Sequence, residues 1–137
     1  MTALDTHTRT GIFPGIAESV REARALVREA LGEACPVIDA ATLCASELIT
    51  NAVLYTRSGR PGGVVTVTVD VGDGTAIITV TDLGARGRPS IAARPSDGAE
   101  HGFGLRIVAQ LAEAWSTYRT DDGRVATWCR FRWERCS

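Results

Sequence analysis

Two rhythms of apolar residues alternate along the chain, and the points where one gives way to the other mark its elements. From about Ala17 to Glu33, Val20, Ala23, Val27, Ala30 and Leu31 recur at helical spacing. Arg21, Arg24 and Arg28 with Glu18, Glu22 and Glu29 clothe the other face, as on a solvated helix or a docking surface. Gly32 weakens the helix end, and Cys35-Pro36 forces an extended junction. A second helical run extends from about Ala40 to Thr56, with Asp39 placed to cap it. Arg57-Ser58-Gly59-Arg60-Pro61-Gly62-Gly63 breaks that run. Val64 to Val71 then alternates valine with threonine, the period of a strand, and Thr75 to Thr81 reads as its hairpin partner across Gly72-Asp73-Gly74.

Residues 85–101 carry no periodicity and are punctuated by Gly87, Pro89, Pro95 and Gly98. A loop of that length inside a compact domain is usually functional, and it reads as a lid. Gly102-Phe103-Gly104-Leu105 opens a third helix with Leu105, Val108, Ala109 and Leu111 on one side. Trp115–Thr120 and Arg124–Glu134 form a final hairpin, in whose last strand Val125, Thr127, Cys129, Phe131 and Trp133 share a core face. Residues 1–12, polar and rich in threonine, read as a flexible tail or an edge strand ending at Phe13-Pro14-Gly15. The expected fold is α+β: a two-layer sandwich with helices on one face of a mixed, largely antiparallel sheet, forming one domain over 13–137.

Composition narrows the chemistry. A chain of 137 residues can bury a core without staples, and its net charge of −1 offers no global field for nucleic acid or anionic lipid. All 15 basic residues are arginine, which excludes a P-loop lysine and any lysine Schiff base. Cys35, Cys44, Cys129 and Cys136 show no zinc spacing, and Cys44 and Cys129 read as small core hydrophobes. Nothing at the N-terminus resembles a signal peptide and no apolar run spans a bilayer, so a reduced, cytoplasmic protein without membrane contact is expected.

Three places carry candidate chemistry. Glu47 and Asn51 stand four residues apart and project from one side of the second helix, the side that also bears Leu43 and Leu54. Leucines there suggest a buried stripe, on which a carboxylate and an amide cost free energy unless something pairs with them. The pair supplies an acid and a neutral oxygen ligand, as at a Mg²⁺ site beside a reactive water, or else simply reaches solvent at a helix edge. Asp82 ends an alternating strand and is followed closely by Gly84. It is either a routine turn or an acceptor for an exocyclic amine, with Gly84 letting a flat ring approach the backbone. Gly102 and Gly104 sit where the long loop becomes a helix, a natural phosphate cradle though a common glycine placement. In series these features provide a metal ligand, a base, an adenine acceptor and a phosphate site.

In that order the motifs resemble the nucleotide-binding domain shared by type II topoisomerases, heat-shock chaperones, histidine kinases and mismatch-repair proteins, called GHKL. Glu47-Leu48-Ile49-Thr50-Asn51-Ala52-Val53 with Tyr55 resembles its N-box, Asp82-Leu83-Gly84 its first glycine box, and Gly102-Phe103-Gly104-Leu105 its second. The Phe13-Pro14-Gly15 opening and the wording Ser46 to Val53 resemble more narrowly the anti-sigma-factor and serine-kinase branch of actinobacteria. The resemblance implies ATP and Mg²⁺ as cofactors. Asn51 would ligate the metal, and Glu47 would act as general base. Asp82 would bind the adenine amino group, and Gly84 would line the ring. Gly102, Gly104 and Leu105 would hold the phosphates under a lid at 85–101. Arg86 stands where the family has a further glycine, and the late Gly-x-Thr box is spelled Gly123-Arg-Val-Ala-Thr127, so Thr127 is carried over as the adenine-side threonine. The implied activity is phosphorylation of a small anti-anti-sigma antagonist on serine or threonine. The alternative is a nucleotide-gated module that binds a sigma factor without catalysis. Direct nucleic-acid binding is not implied, and a homodimer is compatible with either reading.

Overall fold

The computed structural model describes residues 6–84 and 99–134, with side chains in the second stretch from Leu105 onward. Five strands form one sheet: β1 (His7–Pro14), β2 (Val64–Gly72), β3 (Thr75–Asp82), β4 (Ala114–Arg119) and β5 (Val125–Arg132). Their order across the sheet is β1-β2-β3-β5-β4, and every ladder among the described residues is antiparallel. Three helices pack with it: α1 (Ser19–Leu31), α2 (Ile38–Tyr55) and α3 (Ala99–Leu111). The α+β sandwich expected from the hydrophobic pattern is the fold observed, with antiparallel pairing throughout the described sheet.

The alternation of β2 and β3 explains the two sheet faces. Val65, Val67 and Val69 with Ala76, Ile78 and Val80 point to the helices and are buried, while the intervening threonines are half-exposed. Cys129 and Phe131 of β5 complete the inner face, as the expected core face of that strand requires. Against it lies α2, which packs against α1, α3 and the strands. Its Ala41, Ala45 and Ala52 are small enough for close approach, and the hydroxyls of Thr42 and Ser46 turn back onto the Ile38 and Thr42 carbonyls at 2.6 and 3.0 Å. The charged face of α1 is solvated, with Arg28 bridging Glu33 and Asp39 at 2.8 and 3.3 Å.

Four boundaries or faces differ from the sequence reading. Strand β1 begins at His7, inside the segment read as a tail or an edge strand, because its backbone completes the free edge of β2. Asp39 does not cap α2: the helix starts at Ile38, Val37 is the cap residue, and the Asp39 carboxylate is turned to Arg28. Leu43 and Leu54 are 43% and 53% exposed, because the covered sides of α2 are those bearing Ala41, Cys44, Ala45, Leu48, Ile49 and Ala52. Helix α3 begins at Ala99, so Gly102 and Gly104 fall within it and the expected lid overlaps its first three residues. The remainder of that lid, 85–98, lies outside the described residues.

Candidate functional site

The inner face of the β3–β5 ladder is a series of four cross-strand pairs: Ala76–Phe131, Ile78–Cys129, Val80–Thr127 and Asp82–Val125. The first two lie in the closed core. The last two open into a cavity of about 150 Å³ between the sheet and the helices. Leu48, Asn51, Ala52, Tyr55 and Thr56 line it from the end of α2, and Leu105 from α3. A cavity of this size takes one aromatic ring in the interior of another protein. Its walls are largely aliphatic, with a carboxyl, an amide, a phenol and two hydroxyls as the polar groups, the composition of a small-molecule site.

Asp82 reaches this cavity because it continues the period-two face of Ala76, Ile78 and Val80 by one step. Burial pushes its carboxyl up to about 6, while the Gly84 amide and the Arg57 charge pull it back. The Gly84 N–H donates to Asp82 Oδ1 at 2.7 Å, which turns the chain sharply at the strand end. Gly84 has φ +96°, and a Cβ there would lie 3.2 Å from both the Arg57 guanidinium and the Gly123 carbonyl oxygen. Only glycine meets both demands without strain.

The turn is held from behind by a single 3₁₀ turn, Arg57–Gly59, that follows α2. The Arg57 amide donates to the Gly84 carbonyl at 2.8 Å, and its guanidinium donates to the Leu83 carbonyl. The Leu83 amide donates to Ser58 Oγ at 2.9 Å. Thr56 Oγ1 accepts from the Ser58 amide at 3.0 Å and donates to the Ala52 carbonyl at 2.6 Å, joining this turn to the helix. Ser58 is fully buried, and Gly15 and Gly63 press so closely on its carbonyl that a Cβ on either would overlap it.

Of the residues singled out in the sequence, Asn51, Asp82, Leu105 and Thr127 line this one cavity, and Gly84 forms the turn next to Asp82. Thr127 lies diagonally across the ladder from Asp82, opposite Val80, despite the irregular spacing after Gly123. Glu47 is half-buried one helical turn before Asn51 and is not part of the cavity wall. Gly102 and Gly104 lie on α3, the helix that supplies Leu105. Reading the sequence missed Thr56, which looked like a plain helix end, and Arg57 and Ser58, which looked like a plain helix breaker. The signal was their position, directly between the N-box helix and the glycine-rich Gly62-Gly63 approach to the sheet.

No group of three or more His, Cys, Asp or Glu capable of holding a metal occurs among the described residues. One amide oxygen and a nearby carboxylate suit an ion that arrives with phosphates, since Mg²⁺ takes few protein ligands and keeps waters or phosphate oxygens. No helix among the described residues is long and apolar enough to cross a membrane.

The family model for the histidine kinase-like ATPase domain matches residues 13–133. Among solved structures, the chain is similar to the RsbU and RsbW domains of Rv1364c from Mycobacterium tuberculosis, with a TM-score of 0.66 and 19% identity over 92% of this chain. It spans 32% of that protein's chain. It is also similar to the SiaB–SiaC complex from Pseudomonas aeruginosa, with a TM-score of 0.57 and 17% identity, covering 90% of this chain and 88% of the other. No curated protein sequence matches the chain. At these identities the two structures speak for the fold, and the match over 13–133 speaks for the family. With its α+β sandwich and its cavity at the ends of α2 and β3, the chain belongs to the histidine kinase-like ATPase domain family.

Proposed function

We propose that the protein binds ATP with Mg²⁺ and acts as an anti-sigma-factor-type regulator, transferring the γ-phosphoryl group to a serine or threonine of a small antagonist protein. The observation that carries this reading is the convergence of Asn51, Asp82, Leu105 and Thr127 on one ring-sized cavity beside the Gly84 turn. The Asp82 carboxylate accepts the exocyclic amino group of adenine, and Gly84 admits the flat ring to the backbone. Thr127 offers a hydroxyl on the same side of the sheet. Asn51 presents its amide oxygen to Mg²⁺, and the α3 glycines Gly102 and Gly104 hold phosphate oxygens. Glu47 accepts the proton of the attacking hydroxyl, one helical turn from the metal ligand. ATP supplies the phosphoryl group and the metal offsets its charge. The SiaB structure is of a complex with SiaC, which supports a partner protein as the acceptor.

One observation favours a second reading, a nucleotide-gated module that holds a sigma factor without catalysis: Glu47 lies outside the cavity wall. Glu47→Gln separates the two. Removing a base spares ground-state binding and slows the chemical step, so the variant should bind ATP normally. It should phosphorylate the antagonist roughly 10²–10⁴ times more slowly. Phosphorylation at the wild-type rate would remove Glu47 as base, and no phosphoprotein from either protein with the cognate partner would leave the binding module.

A further inference from the structure

The bracket behind Asp82 contains a charged residue that neither lines the cavity nor belongs to a motif noted in the sequence. We propose that Arg57 is a positioning residue for the base slot, clamping the Asp82-Leu83-Gly84 turn so that the Asp82 carboxylate stays aimed at the cavity. The inference rests on reading the cavity as an adenine site.

Arg57 grips the turn at two consecutive residues. Its amide holds the Gly84 carbonyl at 2.8 Å, and its guanidinium holds the Leu83 carbonyl. The Leu83 amide, ahead of both carbonyls, donates to Ser58 Oγ at 2.9 Å. Three hydrogen bonds from one 3₁₀ turn thus fix the backbone that follows Asp82, leaving the Gly84 amide to orient the carboxylate itself at 2.7 Å. The contact is close enough that a methyl group on Gly84 would crowd the guanidinium at 3.2 Å. Because the turn is continuous with Tyr55 and Thr56 of the cavity wall, it couples the α2 side of the slot to the β3 side.

Arg57 also acts through charge. Burial works against the ionised form of Asp82, and the guanidinium favours it. No other charged side chain faces Asp82 from the packed elements described. On α2 the cavity offers Asn51 and Tyr55, on β5 Val125 and Thr127, on β3 Val80, and on α3 Leu105. Among the described residues, the ionised form of Asp82 is favoured first by the Gly84 amide and then by this cation.

The test measures Mg²⁺-ATP affinity by calorimetry from pH 5 to pH 8 for wild type, Arg57→Ala, Arg57→Lys and Asp82→Asn. The titration of ATP itself is common to all four proteins and cancels in the comparison. Arg57→Ala should bind about tenfold more weakly at pH 8, where Asp82 is ionised, through loss of a side-chain bond to the turn. The pH below which its binding fails should move upward by about half a unit or more, since a nearby cation has been removed. Arg57→Lys keeps the charge and loses the planar fork, so it should restore the midpoint and leave affinity at pH 8 reduced. Arg57 is exposed, and melting curves followed by circular dichroism establish that each variant is folded. Coincident midpoints for wild type, Arg57→Ala and Arg57→Lys would overturn the proposal while leaving the adenine site intact. Wild-type affinity that ignores both pH and Asp82→Asn would overturn the adenine site and the Arg57 role together.

Discussion

The two halves of the β3–β5 ladder are built by the same rule and end in opposite states. At the Ala76–Phe131 and Ile78–Cys129 pairs the inner face is buried, and Cys44 from α2 meets Cys129 there. Their hydrogen bond, with burial added, pushes the Cys129 thiol up, so the pair serves as neutral packing. Two residues further along, Val80–Thr127 and Asp82–Val125 present the same face to a cavity. There a carboxyl occupies a position whose register says core. The comparison teaches that the site is the unfinished end of the hydrophobic core. The sheet pleat supplies direction, and the chain places an acid at the next inward position after Val80.

The largest contrast concerns stability. Ile78→Ala in the closed half should cost about 2–5 kcal/mol, the transfer and cavity terms of a fully buried aliphatic side chain. Urea unfolding measures this, and a loss below about 1 kcal/mol would show that the closed half is not close-packed. Asp82→Asn in the open half should do the reverse. The folded Asp82 carboxyl sits near 6 against an ordinary 3.8, so the folded state holds the proton more tightly. That contribution to stability is fully present below about pH 3.8 and is lost as pH rises through 6. At pH 7 the ionised, half-buried group therefore opposes folding, and removing its charge should stabilise the free protein by about 1–3 kcal/mol while weakening ATP binding. A destabilised Asp82→Asn variant at pH 7 would mean that the carboxylate is structurally satisfied.

The same titration sharpens the binding side. If adenine requires the ionised form, affinity should be about tenfold lower at pH 5 than at pH 7, one unit below the Asp82 midpoint. In Asp82→Asn only the part of the dependence that comes from ATP's own titration should remain, as calorimetry at the two pH values would reveal. The smallest effect is expected outside both halves. Leu43→Gln should change stability by less than about 0.5 kcal/mol, because Leu43 is 43% exposed on the uncovered side of α2. A loss of several kcal/mol on thermal melting would restore the buried stripe that the sequence suggested.

That stripe shows where sequence pattern reaches its limit. The valine–threonine alternation of β2 and the hairpin signal that follows it located β2 and β3 to within a residue, because a period of two is imposed by the backbone itself. Asp82 was legible for the same reason, as a polar residue that continues the core-face period of β3. Asn51 was singled out with Glu47 on the side of α2 that bears Leu43 and Leu54, the leucines that proved exposed, and Thr127 came from the resemblance to the late glycine box. Which side of α2 is covered is decided by neighbours distant in sequence, so leucine and alanine exchanged the roles their hydrophobicity suggests. The β1 strand, with Thr8, Arg9 and Thr10, has little apolar signal because its face is exposed and its pairing is carried by backbone. Arg57 was invisible because its bond to Leu83 joins residues 26 apart, across a hairpin.

The central claim is that the open end of the ladder is an adenine slot, and base selectivity tests it most directly. Adenine carries an amino group where guanine carries a carbonyl oxygen, so the Asp82 carboxylate should accept from the first and repel the second. Calorimetric titration of Mg²⁺-ATP and Mg²⁺-GTP into wild type and Asp82→Ala at pH 7.5 isolates that contact. Wild type should prefer ATP by tenfold or more, corresponding to a charge-assisted bond of roughly 1.5–3 kcal/mol, and Asp82→Ala should lose most of the preference. Equal affinity of wild type for the two nucleotides, or a preference undiminished in Asp82→Ala, would contradict the account.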